Sequence, residues 1–281
     1  GLFQMFLGFR KVAANFIWLE VDRLWHQGVI HRMIPLMKTC VLLDPQFVDA
    51  YLLGAWHLSY NVTAKMQETP YNQRVWNERH QACIGKKNQY YYFGVDFLRD
   101  GISHNEHDYR LYFDLGFGIY KEKLNDFPNA VKYLSQAVRQ RHDIWVPRQL
   151  YICYELNGQY EEALVGWYDY QKRFPDTTTA HEVAPRRIAR ILGKVYEEKA
   201  KVLRAEADAA TDPAVAEQKR KEADDFIAKA REKWQDLAEP YAQARLLQLE
   251  AEDLAKQGRY LEAVALLDQA RYIDPGDENW F

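Results

Sequence analysis

One pattern constrains the fold more than any other feature of this sequence. A helical segment is followed by a tight turn, a second helical segment and a closing proline. In three places the proline lies twelve residues after the residue that opens the packing face of the second segment: Met33 and Pro45, Ala163 and Pro175, and Ala263 and Pro275. A unit repeated in this way predicts stacked helical hairpins, because a single hairpin cannot bury its apolar face alone.

Small residues recur at the positions where two paired helices would have to approach each other closely. The first segments carry Leu-Gly pairs, and the second segments carry Ala or Gly: Leu53-Gly54, Leu115-Gly116 and Leu192-Gly193, followed by Gly94, Gly101, Ala130 and Ala137. Small side chains let helix axes come together, and large neighbours fill the space around them. This spacing therefore predicts close-packed helix pairs rather than strands.

The pattern resembles the tetratricopeptide repeat, a 34-residue helix–turn–helix, and six units in consistent phase cover roughly residues 12–275. The resemblance implies an all-α fold, namely a tetratricopeptide-like α-solenoid in which about six helical hairpins wind into a right-handed superhelix. We expect residues 1–281 to form a single solenoid domain.

Two units depart from the repeat length. The second contains a polar insertion loop at 61–87, which either contacts a ligand or only packs over the edge of the solenoid. The fifth contains an extended helical hairpin at about 185–238, which is either a solvated spacer or a docking arm for another subunit. Thr211 or Asp212 can cap its second helix, and Pro213 fits the first turn of that helix.

Residues 1–140 also resemble a group of uncharacterised, membrane-anchored bacterial tetratricopeptide proteins. The matching stretches are Phe6–Arg10, Ala13–Trp18, Leu43–Phe47 and Gly54–Asn61. The resemblance implies a bacterial, membrane-associated protein, held by an N-terminal anchor upstream of Gly1 that is absent from this chain. Without such an anchor, we expect a cytoplasmic protein.

The first helix of each unit would line the concave groove of the superhelix. Its inward positions are aromatic in the N-terminal half and basic in the fifth unit. The candidate partner-binding residues are Trp18, Trp25, Tyr51, Arg110, Phe113, Phe117, Tyr120, Arg148, Arg187, Arg190 and Lys194. Exposed aromatics anchor partner side chains, and arginines pair with carboxylates. Alternatively, Trp18, Trp25 and Phe113 pack inside the protein.

Composition and motifs argue against several other classes of function. The 37 basic and 40 acidic residues give a net charge of −3, so no nucleic acid partner is expected. No apolar run reaches the roughly 18 residues that would span a bilayer. The sequence holds no phosphate-binding loop, dinucleotide fingerprint or nucleophile elbow. The His80–Cys83 stretch lacks the second pair of ligands that a metal site needs, and we expect His104–His107 to lie solvated in a turn between helices.

These observations predict a protein that is not an enzyme, with no catalytic residues, no metal and no cofactor. Its partners would be proteins or peptides, and its function that of an interaction scaffold or adaptor that binds a partner segment in the groove. One alternative is a structural subunit of a membrane-associated assembly, using the convex face and the extended hairpin. Another is a small-molecule binder or enzyme that uses the groove and the 61–87 loop to enclose an apolar ligand.

Overall fold

A computed structural model of the chain describes residues 2–66, 74–77 and 82–275, with side chains described for residues 8–66 and 84–275. Contacts within the chain divide it into two compact units, Gly1–Gly158 and Gln159–Phe281. The single domain expected over residues 1–281 stays a prediction.

The first unit is built from antiparallel helix pairs. Its helices are α1 (Leu2–His26), α2 (Ile30–Leu43), α3 (Val48–Trp56), α4 (Lys86–His104), α5 (Tyr109–Phe113), α6 (Phe127–Ala137) and α7 (Val146–Leu156). Helices α3 and α5 continue directly as π-helical segments, over His57–Val62 and Asp114–Lys121. Helix α1 packs on α2, α3 packs on α4, and α5 packs on α6. Helix α4 also contacts α5 and the π-helical segment that continues it. The core therefore runs continuously from one pair to the next.

The second unit repeats this arrangement with longer helices. It contains α8 (Tyr160–Arg173), a π-helical segment (Thr179–Val183), α9 (Ala184–Ala209), α10 (Pro213–Gln235), α11 (Pro240–Lys256) and α12 (Tyr260–Ile273). Helix α9 packs on α8 and α10, and α11 packs on α10 and α12. The predicted fold class, all-α and tetratricopeptide-like, is confirmed.

The insertion differs from a plain loop. Helical structure that starts at α3 continues to Ala64, beyond the predicted boundary at residue 61. Two short strands follow, β1 (Arg74–Asn77) and β2 (Ala82–Gly85), which pair antiparallel with Arg74 opposite Gly85. His80, the first residue of the His80–Cys83 stretch, lies outside the described residues, and the role of the insertion stays a prediction.

Helices α9 and α10 form the long hairpin of the second unit. Asp212 caps α10, since its carboxylate accepts a hydrogen bond from the backbone N–H of Ala214 at 2.8 Å, and Pro213 follows in the first turn. Ion pairs cross between the two helices near the turn: Lys219 with Glu206, and Arg220 with Asp208 at 3.2 Å. These pairs are exposed to solvent, and whether the hairpin is a solvated spacer or a docking arm for another subunit stays a prediction.

Three glycines in the helices lie directly against large side chains of the paired helix. A Cβ atom on Gly193 of α9 would stand 2.6 Å from the indole of Trp234 on α10, which is completely buried. The same close approach joins Gly54 to Phe97 and Gly101 to Tyr51. At each of these contacts, the missing side chain of the glycine leaves the space that one aromatic ring of the paired helix fills.

We expect Gly193→Ala to lower the free energy of unfolding by roughly 1–3 kcal/mol, because the added methyl group displaces the Trp234 ring. The midpoint of urea unfolding, followed by circular dichroism, measures this change. Gly8→Ala in α1 is the matched control, since no atom of the described residues lies within 4 Å of a Cβ at Gly8. The control should be neutral or slightly stabilising, because alanine favours helix over glycine. Equal midpoints for both variants would contradict the packing account.

Candidate functional site

Two of the predicted groove residues belong to the core of the first unit. Tyr51 is completely buried against Phe97, with ring centroids 5.1 Å apart, and its hydroxyl donates to Asp100 at 3.2 Å. Tyr120 is buried and stacks on Tyr133 at 5.5 Å. Burial raises the pKa of the Tyr51 phenol well above its ordinary value. Both tyrosines hold helix pairs together.

Phe113 and Phe117 form an aromatic cluster on the stretch formed by α5 and its π-helical continuation. Their rings stack with centroids 5.1 Å apart, and Trp145 meets Phe113 edge-on at 4.9 Å. Phe113 is buried, whereas Phe117 and Trp145 keep exposed surface. The cluster therefore presents a partly open aromatic surface supported from beneath.

Trp18 and Trp25 on α1 are half-buried. Trp18 lies edge-on to Phe47 with ring centroids 6.2 Å apart. Trp25 lies 4.7 Å from the ring of His57, and the Lys65 ammonium stands 4.1 Å from its centroid. Each tryptophan thus has packing partners on one side and exposed surface on the other.

The cations predicted for the groove of the first unit already have partners within the chain. Arg110 is exposed and holds Asp108 through two hydrogen bonds, at 2.7 and 3.0 Å, and Asp49 through a third at 3.1 Å. Its Asp108 neighbour also caps α5 by accepting from the backbone N–H of Arg110. Arg148 donates to the carbonyl of Trp145 at 3.3 Å. Arg110 therefore fixes the start of α5.

The predicted cations of the second unit gather around Tyr241. Arg190 pairs with Glu239 at 2.7 Å and stands 5.1 Å from the Tyr241 ring, while Lys194 stands 5.7 Å from the same ring. Arg187 is half-buried and lines a cavity beside them. The structure thus brings these three cations together on α9.

A polar cavity of about 530 Å³ in the second unit is lined by Lys194 together with Glu197 and Arg245. Arg245 donates to the Glu197 carboxylate at 2.8 Å, and the Trp234 indole donates to it at 2.7 Å. The carboxylate that is most buried in this cavity is therefore already satisfied.

A cavity of about 280 Å³ in the first unit has a different character. It lies between the helical stretches that begin with α3 and α5, and four of its nine lining residues are aromatic. Its lining is Ala55, Trp56, Tyr60, Leu98, Phe113, Asp114, Phe117, Gly118 and Ile119. The Tyr60 hydroxyl donates to the Gly118 carbonyl at 2.6 Å and joins the two π-helical segments. The predicted groove residues Phe113 and Phe117 thus border a real concavity.

Asp114 is the one acidic side chain in the wall of this cavity. No described residue donates a hydrogen bond to its carboxylate or forms an ion pair with it. Burial raises its pKa to about 6, the charge of Asp108 adds to the rise, and the charge of Arg110 opposes it. Sequence reasoning missed Asp114, Trp56 and Tyr60 as site residues because none occupies an inward position of the repeat.

Asp114→Asn should stabilise the chain, and the gain should depend on pH. The folded state favours the protonated carboxyl, so the stability due to this group is lost as pH rises from about 4 to about 6. We expect the variant to be more stable by roughly 2–3 kcal/mol at pH 8 and by about half of that at pH 5. Urea unfolding at the two pH values measures the difference.

Asp268→Asn, an exposed carboxylate on α12, is the matched control for that measurement. It removes the same charge outside the cavity and should not reproduce the pH-dependent gain. A gain for Asp114→Asn that is the same at pH 5 and pH 8 would show that the carboxyl does not titrate in the way its burial implies.

The described residues also bear on metal binding and on membrane spanning. Within the part of the chain that the structure describes, no group of three His, Cys, Asp or Glu side chains could hold a metal ion. His104 and His107 are exposed and lie near Asp100 and Glu106. Among the described residues, no helix has both the length and the apolar character that crossing a bilayer requires.

No protein-family model matches the sequence, and no curated protein matches it. Among solved structures, a tetratricopeptide repeat protein of Parabacteroides merdae is 12% identical, with a TM-score of 0.43 and 95% of each chain covered. PilF of Pseudomonas aeruginosa is 13% identical, with a TM-score of 0.41 and 96% of each chain covered. A thermophilic tetratricopeptide repeat protein of Thermus thermophilus is 14% identical, with a TM-score of 0.41, 62% of this chain and 81% of that chain. Similarities this distant identify neither a partner nor an activity for this chain.

Proposed function

We propose that this chain is a non-enzymatic interaction scaffold or adaptor that binds a segment of a partner protein. The segment lies across the aromatic face of the first unit, where Phe117 and Trp56 keep exposed surface at the 280 Å³ cavity and Trp145 does so beside Phe113. That partly open aromatic concavity is the observation that carries the proposal. Of the other predicted contacts in this unit, Trp18 and Trp25 also keep exposed surface.

Energetics support this placement. Binding energy at protein interfaces concentrates in a few aromatic anchors next to pockets, with weaker contacts around them. Trp56 is 49% exposed at the cavity, so a partner can bury a large aromatic area without first displacing a core side chain. Tyr51 and Tyr120 contribute indirectly, since they fix the helices that carry the exposed rings.

Trp56→Ala should weaken binding of a partner segment by about 2 kcal/mol, or roughly 30-fold, because it removes an exposed anchor. The partner segments for this measurement are 12-residue peptides selected by display on the intact chain, and fluorescence anisotropy gives their dissociation constants. Thermal unfolding of the variant should remain near that of the original chain.

Tyr272→Ala is the matched control, because Tyr272 is a 90% exposed aromatic residue on α12 in the other unit. Its removal should leave the peptide affinities unchanged. If both substitutions have the same effect, or if neither has one, the aromatic face of the first unit is not where partner segments bind.

A structural subunit of a membrane-associated assembly is the second candidate, and the outer helix α12 favours it. Leu261 is 89% exposed, and Tyr272 projects from the same side of the helix. In that case Leu261→Lys with Tyr272→Lys would dissociate the assembly on native electrophoresis of host membranes, whereas Trp56→Ala would leave it intact. The anchor expected upstream of Gly1 stays a prediction.

A further inference from the structure

The cavity of the first unit combines four aromatic side chains with one carboxylate, that of Asp114, to which no described residue supplies a hydrogen bond or an ion pair. The nearest cation on the same helical stretch, Arg110, is engaged by Asp108 and Asp49 rather than by Asp114. Asp114 is half-buried, so its ionised carboxylate is only partly hydrated. It is therefore a site where an incoming positive charge gains more than it would at the exposed surface.

The aromatic rings around Asp114 are suited to the same charge. Rings attract cations at their faces, and two of these rings already do so within the chain. The Lys123 ammonium stands 3.7 Å from the centroid of Tyr60, and the Lys121 ammonium stands 4.7 Å from that of Phe117. Lys121 is in turn paired with Glu122, which limits the excess positive charge at the rim.

We propose that this cavity binds the lysine or arginine side chain of a partner segment, with Asp114 as its counter-ion and the rings of Trp56 and Phe117 against its aliphatic stem. The inference rests on the proposed function and specifies the chemistry of the partner. Long cationic side chains suit such a site because they carry an apolar stem and a charged tip.

The same geometry discriminates against other side chains. An apolar side chain would bury the Asp114 carboxylate with no partner, and an acidic one would place two like charges together. Recognition of a cation also depends on the charge state of Asp114. The groups that influence it are Arg110 and Asp108 on its own stretch and Tyr60 opposite, whereas Leu98 of α4 adds no charge.

The test is a double-mutant cycle on the intact chain with the display-selected 12-residue peptides. The recovered peptides should share a lysine or arginine next to apolar residues. Replacing that residue with Gln should weaken binding to the original chain at least tenfold at pH 7.5. Against Asp114→Asn the same replacement should change affinity less than twofold. Asp268→Asn, the control, should behave as the original chain does.

A pH series gives an independent readout on the same peptides. Affinity for the original chain should fall as pH drops below about 6, because protonation of Asp114 removes the counter-ion. Affinity for Asp114→Asn should stay level over that range. If peptides bind and lose affinity with Trp56→Ala, but the cationic residue matters equally in both backgrounds, the cation site is overturned while the proposed function stands. If no recovered peptide depends on Trp56, the proposed function falls, and the inference with it.

Discussion

The packing of one large ring into the space above a glycine is the contact on which both units depend. Trp234 over Gly193, Tyr51 over Gly101 and Phe97 over Gly54 leave no room for even one methyl group. Such contacts fix the distance and rotation of each helix pair, because a ring held on all sides tolerates little displacement. They also position the polar groups of the packed rings for hydrogen bonding. The Trp234 indole reaches Glu197, and the Tyr51 hydroxyl reaches Asp100.

Much of this architecture could be predicted from the sequence, because the repeat encodes it locally. The spacing of small residues predicted the close helix pairs, and Asp212 was one of the two caps expected for α10. The π-helical segments could not be predicted, since one extra residue in a turn does not disturb the apolar pattern enough to be visible. The strands β1 and β2 were missed for another reason, since four-residue segments inside a polar insertion carry little periodic signal.

The candidate site was less accessible to sequence reasoning, because it depends on partners that are far apart in the chain. Inward positions were assigned from the repeat alone, yet Tyr51 is buried by Phe97, 46 residues further on, and Tyr120 stacks on Tyr133 of the paired helix. Asp114 shows the converse. Its position suggests an ordinary polar residue on a helix, and only the fold shows that Arg110 is already bound by two other carboxylates.

Asp114 also illustrates why a destabilising residue can persist in a well-packed unit. A half-buried carboxylate that no described residue pairs with lowers the stability of the free chain at neutral pH, as its raised pKa indicates. Asparagine would fill nearly the same volume without that penalty. A carboxylate that is left unpaired in the free protein can, however, gain a full charge interaction when a cation binds, and it disfavours every neutral competitor. The carboxylate that lowers the stability of the free chain thus also makes the cavity selective for a cationic side chain. The ring-over-glycine contacts of the surrounding helices fix the aromatic side chains of this cavity in place.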